Sequence, residues 1–432
     1  MRVKFSLPSL LLILLVAVQI TSANEAPKSL ALRAVSESKL EATPAIEELR
    51  SLGPTGMQML MKQYEAEIDR HITDPTSASS EEWQRITAAL DSVSQQRNSY
   101  LSGLYWYTDL DAARKASADS GKPILSLRLL GKLTDELSCA NSRFFRTILY
   151  SNASVSALLR DHYILHWQSV RPVPVITIDF GDGRKLARTI TGNSIHYVLD
   201  SKGHVIEALP GLYGPRAFER NLLEVESLFE QLQGKQENEQ IVLLLQYYQN
   251  RATSISAAWA NDLADLTGKQ PDRVLVKSEA GGEAVKIMPL AVTKMATEVT
   301  PLRMMMARSE SLGKVTDESA WNTIARYHKS DAVLDARSLS LIKKQNPNLS
   351  GALFSRMIEK LQNSIALDSV RNEYALHPTL IAWMTNNEWR KNVDKFNEKV
   401  YAELFMTPKS DPWLGLLLPD TYTAIDNGGV IK

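Results

Sequence analysis

Cys139 is the single cysteine in a chain of 432 residues, and it stands in Cys139-Ala140-Asn141-Ser142, a C-x-x-S that follows an apolar strand and opens a helix. A thiol in that position meets free backbone N–H groups and the positive end of a helix. Both favour the thiolate, the nucleophilic form of the residue. Arg143 and Arg146 in the first two turns add to the effect, while Asp135 and Glu136 in the preceding loop, Gly131 to Ser138, oppose it. The chemistry expected is thiol–disulfide exchange, with Cys139 as nucleophile or mixed-disulfide acceptor and Ser142 as hydrogen-bond donor to its thiolate. The alternative for the same residue is a buried small hydrophobe, since free cysteine is among the most buried residue types.

Other chemistry-bearing groups are better explained by structure. His162, His166 and His196 could join Cys139 around copper or zinc, but His162 and His166 flank or lie in one strand, about 13 Å apart, too far to chelate one ion. No metal and no cofactor are expected there. Met288, Met295 and the run Met304-Met305-Met306 suggest a thioether cluster for cuprous ion, yet consecutive helical residues point in different directions and methionine fills irregular cores. Asp179-Phe180-Gly181 lacks the catalytic and glycine-rich loops of a kinase, and the chain carries no H-E-x-x-H, Walker, G-x-S-x-G or dinucleotide motif in a suitable context. Hydrolase and nucleotide-binding functions have no motif behind them.

Composition narrows the partners. The chain begins Met1-Arg2-Val3-Lys4, continues with an apolar run from Leu10 to Val18 and reaches Thr21-Ser22-Ala23, which suits cleavage after Ala23. The run is shorter than the roughly 20 residues that span a bilayer, so residues 1–23 are expected to be a removed leader and the protein to be exported, to periplasm or exterior, with no membrane span. Losing Arg2 and Lys4 lowers 49 basic residues to 47 against 49 acidic ones. A net charge of −2 gives no reason to expect nucleic acid. One cysteine also excludes an intramolecular disulfide, so stability must come from packed cores.

Three regions position these groups. From Asn24 to about Ser102 the pattern is helical: one helix is expected from Thr43-Pro44 to Gly53, and another after the capping box Ser79-Ser80-Glu81-Glu82, with Trp83, Ile86, Leu90, Val93 and Arg97 on one stripe. From Leu104 the chain alternates. A helix capped by Thr108 leads to the strand Pro123–Leu130, the thiol-bearing helix Cys139–Tyr150 with Phe144, Ile148 and Leu149 inward, and a strand at Tyr163–Trp167. Two hairpins follow, turning at Gly181-Asp182-Gly183 and at Asp200-Ser201-Lys202-Gly203, and then a helix from Gly214-Pro215 to Leu232. After Gly234 the stripes are helical, and the apolar tail Pro412–Pro419 is expected to dock on a neighbouring surface.

The central region resembles a thioredoxin-like domain through Gly121-Lys122-Pro123-Ile124-Leu125, Cys139-Ala140-Asn141-Ser142, and Ser194-Ile195-His196-Tyr197-Val198-Leu199-Asp200-Ser201-Lys202-Gly203. The resemblance implies an α/β thioredoxin-like central domain (104–234) flanked by an N-terminal helical segment (24–103) and a mostly α-helical C-terminal domain (235–432). It also implies a redox centre, from which this chain departs twice. Ser142 replaces the resolving cysteine, and Ser194 stands where the family has a cis-proline facing the substrate. The function that follows is monothiol exchange through Cys139, assisted by Ser142 and by Arg143 and Ser194 beside them, with an external thiol or a protein disulfide as partner. The alternative is a non-catalytic binding or assembly module whose helical regions engage a protein, and copper handling comes third. Intact-mass measurement of exported protein checks the leader: the expected chain begins at Asn24, and a mass retaining residues 1–23 contradicts it.

Overall fold

The computed structural model describes residues 26–189, 192–267 and 318–414, together with 424, 425 and 430. The expected leader, the methionines 288, 295 and 304–306, and most of the apolar tail lie outside the described residues. Backbone contacts divide the chain into two units, one ending at Tyr105 and one beginning at Trp106.

The first unit is helical: α1 (Ala26–Ala34), α2 (Lys39–Ser51), α3 (Pro54–Gln63), α4 (Glu65–Thr73) and α5 (Glu81–Ser94). Helix α2 starts earlier than Thr43-Pro44 and carries Pro44 inside it. The proline removes one bond to the carbonyl of Leu40, an exposed position open to water, while fully buried Ala45 and Leu49 hold the helix in place. Ser80, rather than Ser79 of the expected capping box, caps α5, its hydroxyl accepting from Trp83 N at 3.0 Å, and Trp83, Ile86, Leu90 and Val93 are buried as the stripe requires. The helix stops before Arg97, because Gln95 turns left-handed and the Asp91 carboxylate takes the N–H groups of Asn98 and Ser99 at 3.1 and 2.9 Å.

The second unit is built on a mixed five-stranded sheet with helices on both sides. It runs β1 (Trp106–Tyr107), α6 (Leu110–Ser120), β2 (Ile124–Leu130), α7 (Ala140–Phe144) continued by a π-helical turn (Phe145–Leu149), α8 (Ala153–His162) and β3 (Ile164–Arg171). A separate ribbon of β4 (Val175–Asp179) and β5 (Lys185–Thr189) follows, then β6 (Ser194–Leu199), β7 (Val205–Pro210) and α9 (Pro215–Leu232). Asp109 caps α6 rather than Thr108, accepting from Ala112 N at 2.7 Å. The π turn adds a residue to the helical repeat, so Phe145 is fully buried where the regular period places Phe144 inside. Strand order is β1-β3-β2-β6-β7, with β1, β3 and β2 parallel and β6 and β7 antiparallel.

Helices complete the unit: α10 (Glu237–Thr267), α11 (Glu318–Tyr327), α12 (Ala336–Gln345), and α13 (Gly351–Arg371), which runs through a π turn (Asn372–Leu376) into α14 (His377–Met384). They are followed by α15 (Asn387–Arg390) and by α16 (Val393–Lys399) with its own π turn (Val400–Leu404). No helix among the described residues is long and apolar enough to cross a membrane. Strand β2 is buried along its whole length and feeds both faces. Leu127 sits in one row with Trp167 and His196, while Ser126 shares the opposite face with His166 and Tyr197. Phe145 and Phe218 pack on His196 at 4.6 and 5.0 Å between ring centres, and Phe396 packs on Tyr197 at 5.9 Å.

The β7 edge is closed by chemistry rather than by a further strand. Gly211 N bonds Ser194 O across to β6, so Pro210, Ala208 and Ile206 direct their backbone groups outward. Pro210 has no N–H, the Ala208 N–H donates to the Glu207 carboxylate at 2.7 Å, and the Ile206 carbonyl accepts from Tyr248 Oη at 2.8 Å. These groups are thereby withdrawn from pairing with a further strand.

Gly214, the cap of α9, lies against the backbone of Asp331 and donates its N–H to Ser369 Oγ at 2.7 Å. A Cβ there would lie 2.2 Å from the Asp331 carbonyl oxygen. Gly214→Ala should therefore cost about 1–3 kcal/mol in denaturant unfolding by forcing α9 away from residues 329–332; an unchanged midpoint contradicts that packing.

Candidate functional site

Cys139 is the cap residue of α7, with its N–H bonded to Leu130 O at 3.2 Å at the end of β2. Its exposure is 0%. The buried hydroxyl of Ser142 lies 2.6 Å from Ser138 Oγ and 2.9 Å from the Cys139 carbonyl oxygen, so its hydrogen bonds run to a neighbouring serine and to backbone. Arg143 is half-buried and donates to Thr189 Oγ1 at 2.8 Å; burial lowers its pKa, and the electrostatic neighbourhood of Cys139 opposes that shift. Ser194 is fully buried, opposite Leu129 in the sheet, and its hydroxyl meets no hydrogen-bond partner among the described residues. The buried guanidinium of Arg146 donates to the carbonyls of Leu133 and Asp135 at 2.9 and 2.8 Å, which fixes the loop before the thiol.

That end of the sheet is roofed by the C-terminal residues. Tyr401 Oη lies 3.1 Å from the Asn193 carbonyl, and Arg171 donates to the carbonyls of Thr407 and Pro408 at 2.6 and 3.4 Å. Tyr401 and Tyr150 both have raised phenol pKa values, from burial first and from the proximity of Cys139 second. On the same face as Tyr197, Arg128 is 1% exposed and reaches Asp394 Oδ1 at 2.9 Å, while its Nε and the second terminal nitrogen have no hydrogen-bond partner among the described residues.

The histidines do not converge. His166 and His196 occupy opposite faces, bonded to Ser126 Oγ at 2.8 Å and to Tyr150 Oη at 2.7 Å. Burial lowers both to about 3, with Arg128 contributing at His166, so both rings are neutral. His162 is on the surface, paired with Glu226. Among the described residues no group of three His, Cys, Asp or Glu side chains is arranged to hold a metal ion.

A different cluster gathers the charge. His377, with 0% exposure, places Nε2 3.1 Å from Glu207 Oε1 and Nδ1 3.2 Å from Glu373 Oε2. Glu207 is 1% exposed and also accepts from Tyr247 Oη at 2.7 Å; Glu373 accepts from Arg251 at 2.8 Å, and Arg251 in turn reaches Asn221 and, at 3.3 Å, Glu224. The Tyr213 phenol faces Glu373 without closing a bond of ordinary geometry. Burial alone would discharge the ring, but the two carboxylates outweigh it and raise His377 to about 9. Burial likewise pushes Glu373 up, and His377 and Arg251 overcome it, holding the carboxyl at about 2. Glu207 is lowered in the same way, burial opposing and His377 and Tyr247 prevailing.

The sequence contains two traces of this cluster: a glutamate inside the apolar strand Val205–Pro210, and Glu373 with His377 at the i, i+4 spacing of a helix. Neither trace identifies a partner 170 residues away. Comparison with family models, with curated proteins and with solved structures finds no match.

The Arg128–Asp394 pair supports a test of charge burial. Asp394→Asn leaves the Arg128 charge in the interior without its acid and should cost roughly 2 kcal/mol, below the value for a fully buried pair because Asp394 is solvated. Arg128→Met removes the buried charge and leaves a solvated aspartate, so unfolding should show it to be the better tolerated change. The reverse order would mean that Asp394 does not compensate Arg128.

Proposed function

We propose that the protein is an exported, non-catalytic binding or assembly module, in which a thioredoxin-like sheet serves as scaffold and the surrounding helices present the binding surface. The β-α-β order followed by β-β-α on one mixed sheet supports the resemblance carried by Gly121–Leu125 and Ser194–Gly203. The observation that carries the scaffold reading is the burial of Cys139. An attacking thiolate needs access along the S–S axis of its target, and a sulfur with 0% exposure has none. Ser142, turned to Ser138 and to backbone, fits the packing of a helix start.

Monothiol exchange remains the second reading because Arg143 lies within electrostatic reach of Cys139. It requires the residues that bury Cys139 to move aside, a rearrangement that the scaffold reading does without.

Alkylation separates the two. In the scaffold reading native Cys139 reacts with iodoacetamide at least a hundredfold more slowly than the denatured chain across pH 6 to 9, and Cys139→Ala keeps the native melting temperature within a few degrees. Rapid native labelling that follows a single titration below the ordinary thiol pKa of about 8.5 would establish a reactive thiol and overturn the scaffold reading.

A further inference from the structure

We propose that Glu207, His377 and Glu373 form a proton-dependent clasp that keeps α14 docked on the edge strand β7, and that withdrawal of one proton from the ring opens this edge.

With both glutamates ionised, as their lowered pKa values imply, the geometry calls for a doubly protonated ring. A neutral imidazole has one N–H, yet both nitrogens of His377 face carboxylate oxygens, at 3.1 and 3.2 Å. Either neutral tautomer would direct a lone pair at an anion. Charge balance points the same way. With the ring protonated, Glu207 and Glu373 are matched by His377 and Arg251; with it neutral, one buried negative charge is left uncompensated.

The elements around the ring contribute to this balance, and α15, packed on α14, adds the buried Arg390, which acts on Tyr248. Strand β7 provides Glu207, the loop after it Tyr213, and α9 Asn221 and Glu224, the latter reaching the ring's surroundings through Arg251. Helix α10 provides Tyr247 and Arg251, and the π turn before α14 provides Glu373. The phenols of Tyr213, Tyr247 and Tyr248 are raised above their ordinary value by burial, so they stay neutral while the ring titrates. His377 is therefore the group in this cluster that changes charge between neutral and mildly alkaline pH.

The clasp is tied to the strand edge. Glu207 Oε1 bonds the ring and the outward N–H of Ala208, so the carboxylate that anchors α14 also occupies the edge donor of β7. Tyr248, adjacent to Tyr247, occupies the Ile206 carbonyl, and Arg390 Nε donates to the Val205 carbonyl at 2.9 Å. Loss of the ring's second proton weakens the hold of Glu207 on α14 and frees groups that close the edge.

The direction with pH follows from the folded and ordinary values. His377 contributes fully below about 6.5, and its contribution fades as pH rises through about 9. Glu373 contributes fully above about 4.5 and loses its contribution as pH falls towards about 2. Together they give a plateau of stability from about pH 4.5 to 6.5, with a loss on each side.

Amide hydrogen exchange on the full chain, corrected for the intrinsic pH dependence of exchange, tests the proposal. Protection of Ala208 and of α14 should fall at least tenfold between pH 6.5 and 9.5, while that of Leu125 to Leu129 in β2 stays level. His377→Gln should abolish the pH dependence at Ala208. Glu373→Gln, which retains a hydrogen-bonding partner but removes one anion, should move the loss to lower pH by a unit or more. An NMR titration of the wild-type His377 ring covers the case in which a variant fails to fold: a midpoint near 9 is expected, and a midpoint at or below 6.5 overturns the proposal, as does level protection of Ala208 to pH 9.5. These readouts do not involve the thiol, so their failure and that of the scaffold reading are distinguishable.

Discussion

A protonated imidazole held between two carboxylates, out of reach of water, is the constraint on which the arrangement of the second unit depends. Removing ions from water costs several kcal/mol each, so the cluster is not a general adhesive, and well-packed apolar side chains could bind the same surfaces as tightly. What the ions add is position. Glu207 has one acceptable partner arrangement, with His377 Nε2, Tyr247 Oη and the Ala208 N–H around it. A slip of α14 or α10 along β7 would bury a charge without its counter-charge. The helices therefore dock in one register, and the same docking closes the strand edge.

The opposite sheet face handles a buried charge differently. Arg128 gives one nitrogen to Asp394, an acid 67% exposed, and leaves its other nitrogens without hydrogen-bond partners among the described residues. Tyr401 lies within electrostatic range of Arg128 and of Cys139, and its hydroxyl approaches Asn193, the residue before Ser194. Tyr401 thus links the Arg128 side of the sheet to the end of β2 where the thiol lies. The loop before the cysteine, held by Arg146, is buried at the same end, with Leu133 and Ser138 at 0% exposure.

Much of the local architecture was legible in the sequence because its causes are local. The stripe Trp83 to Val93, the hairpins around Gly181-Asp182-Gly183 and Asp200–Gly203, and the helix after Gly214-Pro215 each depend on a few neighbouring residues, and the structure places elements there. The misplaced details share one cause: a nearby group outcompeted the pattern. Asp109 displaced Thr108 as cap, Asp91 ended α5 before Arg97, and the π turn after Phe144 shifted the inward phase to Phe145. The charged cluster was not legible. Its members come from β7, α10 and the π turn with α14, and no periodicity reports which distant helix covers a strand edge. Cys139 and Ser142 are neighbours as the spacing implies, but exposure is a property of the whole chain.

The groups facing each ring, rather than burial, explain why histidines in one unit differ in charge. His166, His196 and His377 are each at most 1% exposed, so desolvation works against the charged ring at all three. Beside His196 the partner is a phenol, and beside His166 it is a serine hydroxyl with the Arg128 cation nearby. Nothing there opposes desolvation, and the rings stay neutral at any pH a folded protein ordinarily meets. At His377 two anions reverse the sign. Response to pH is thus concentrated at the sheet edge and withheld from its centre, an asymmetry set by the residues that face each ring.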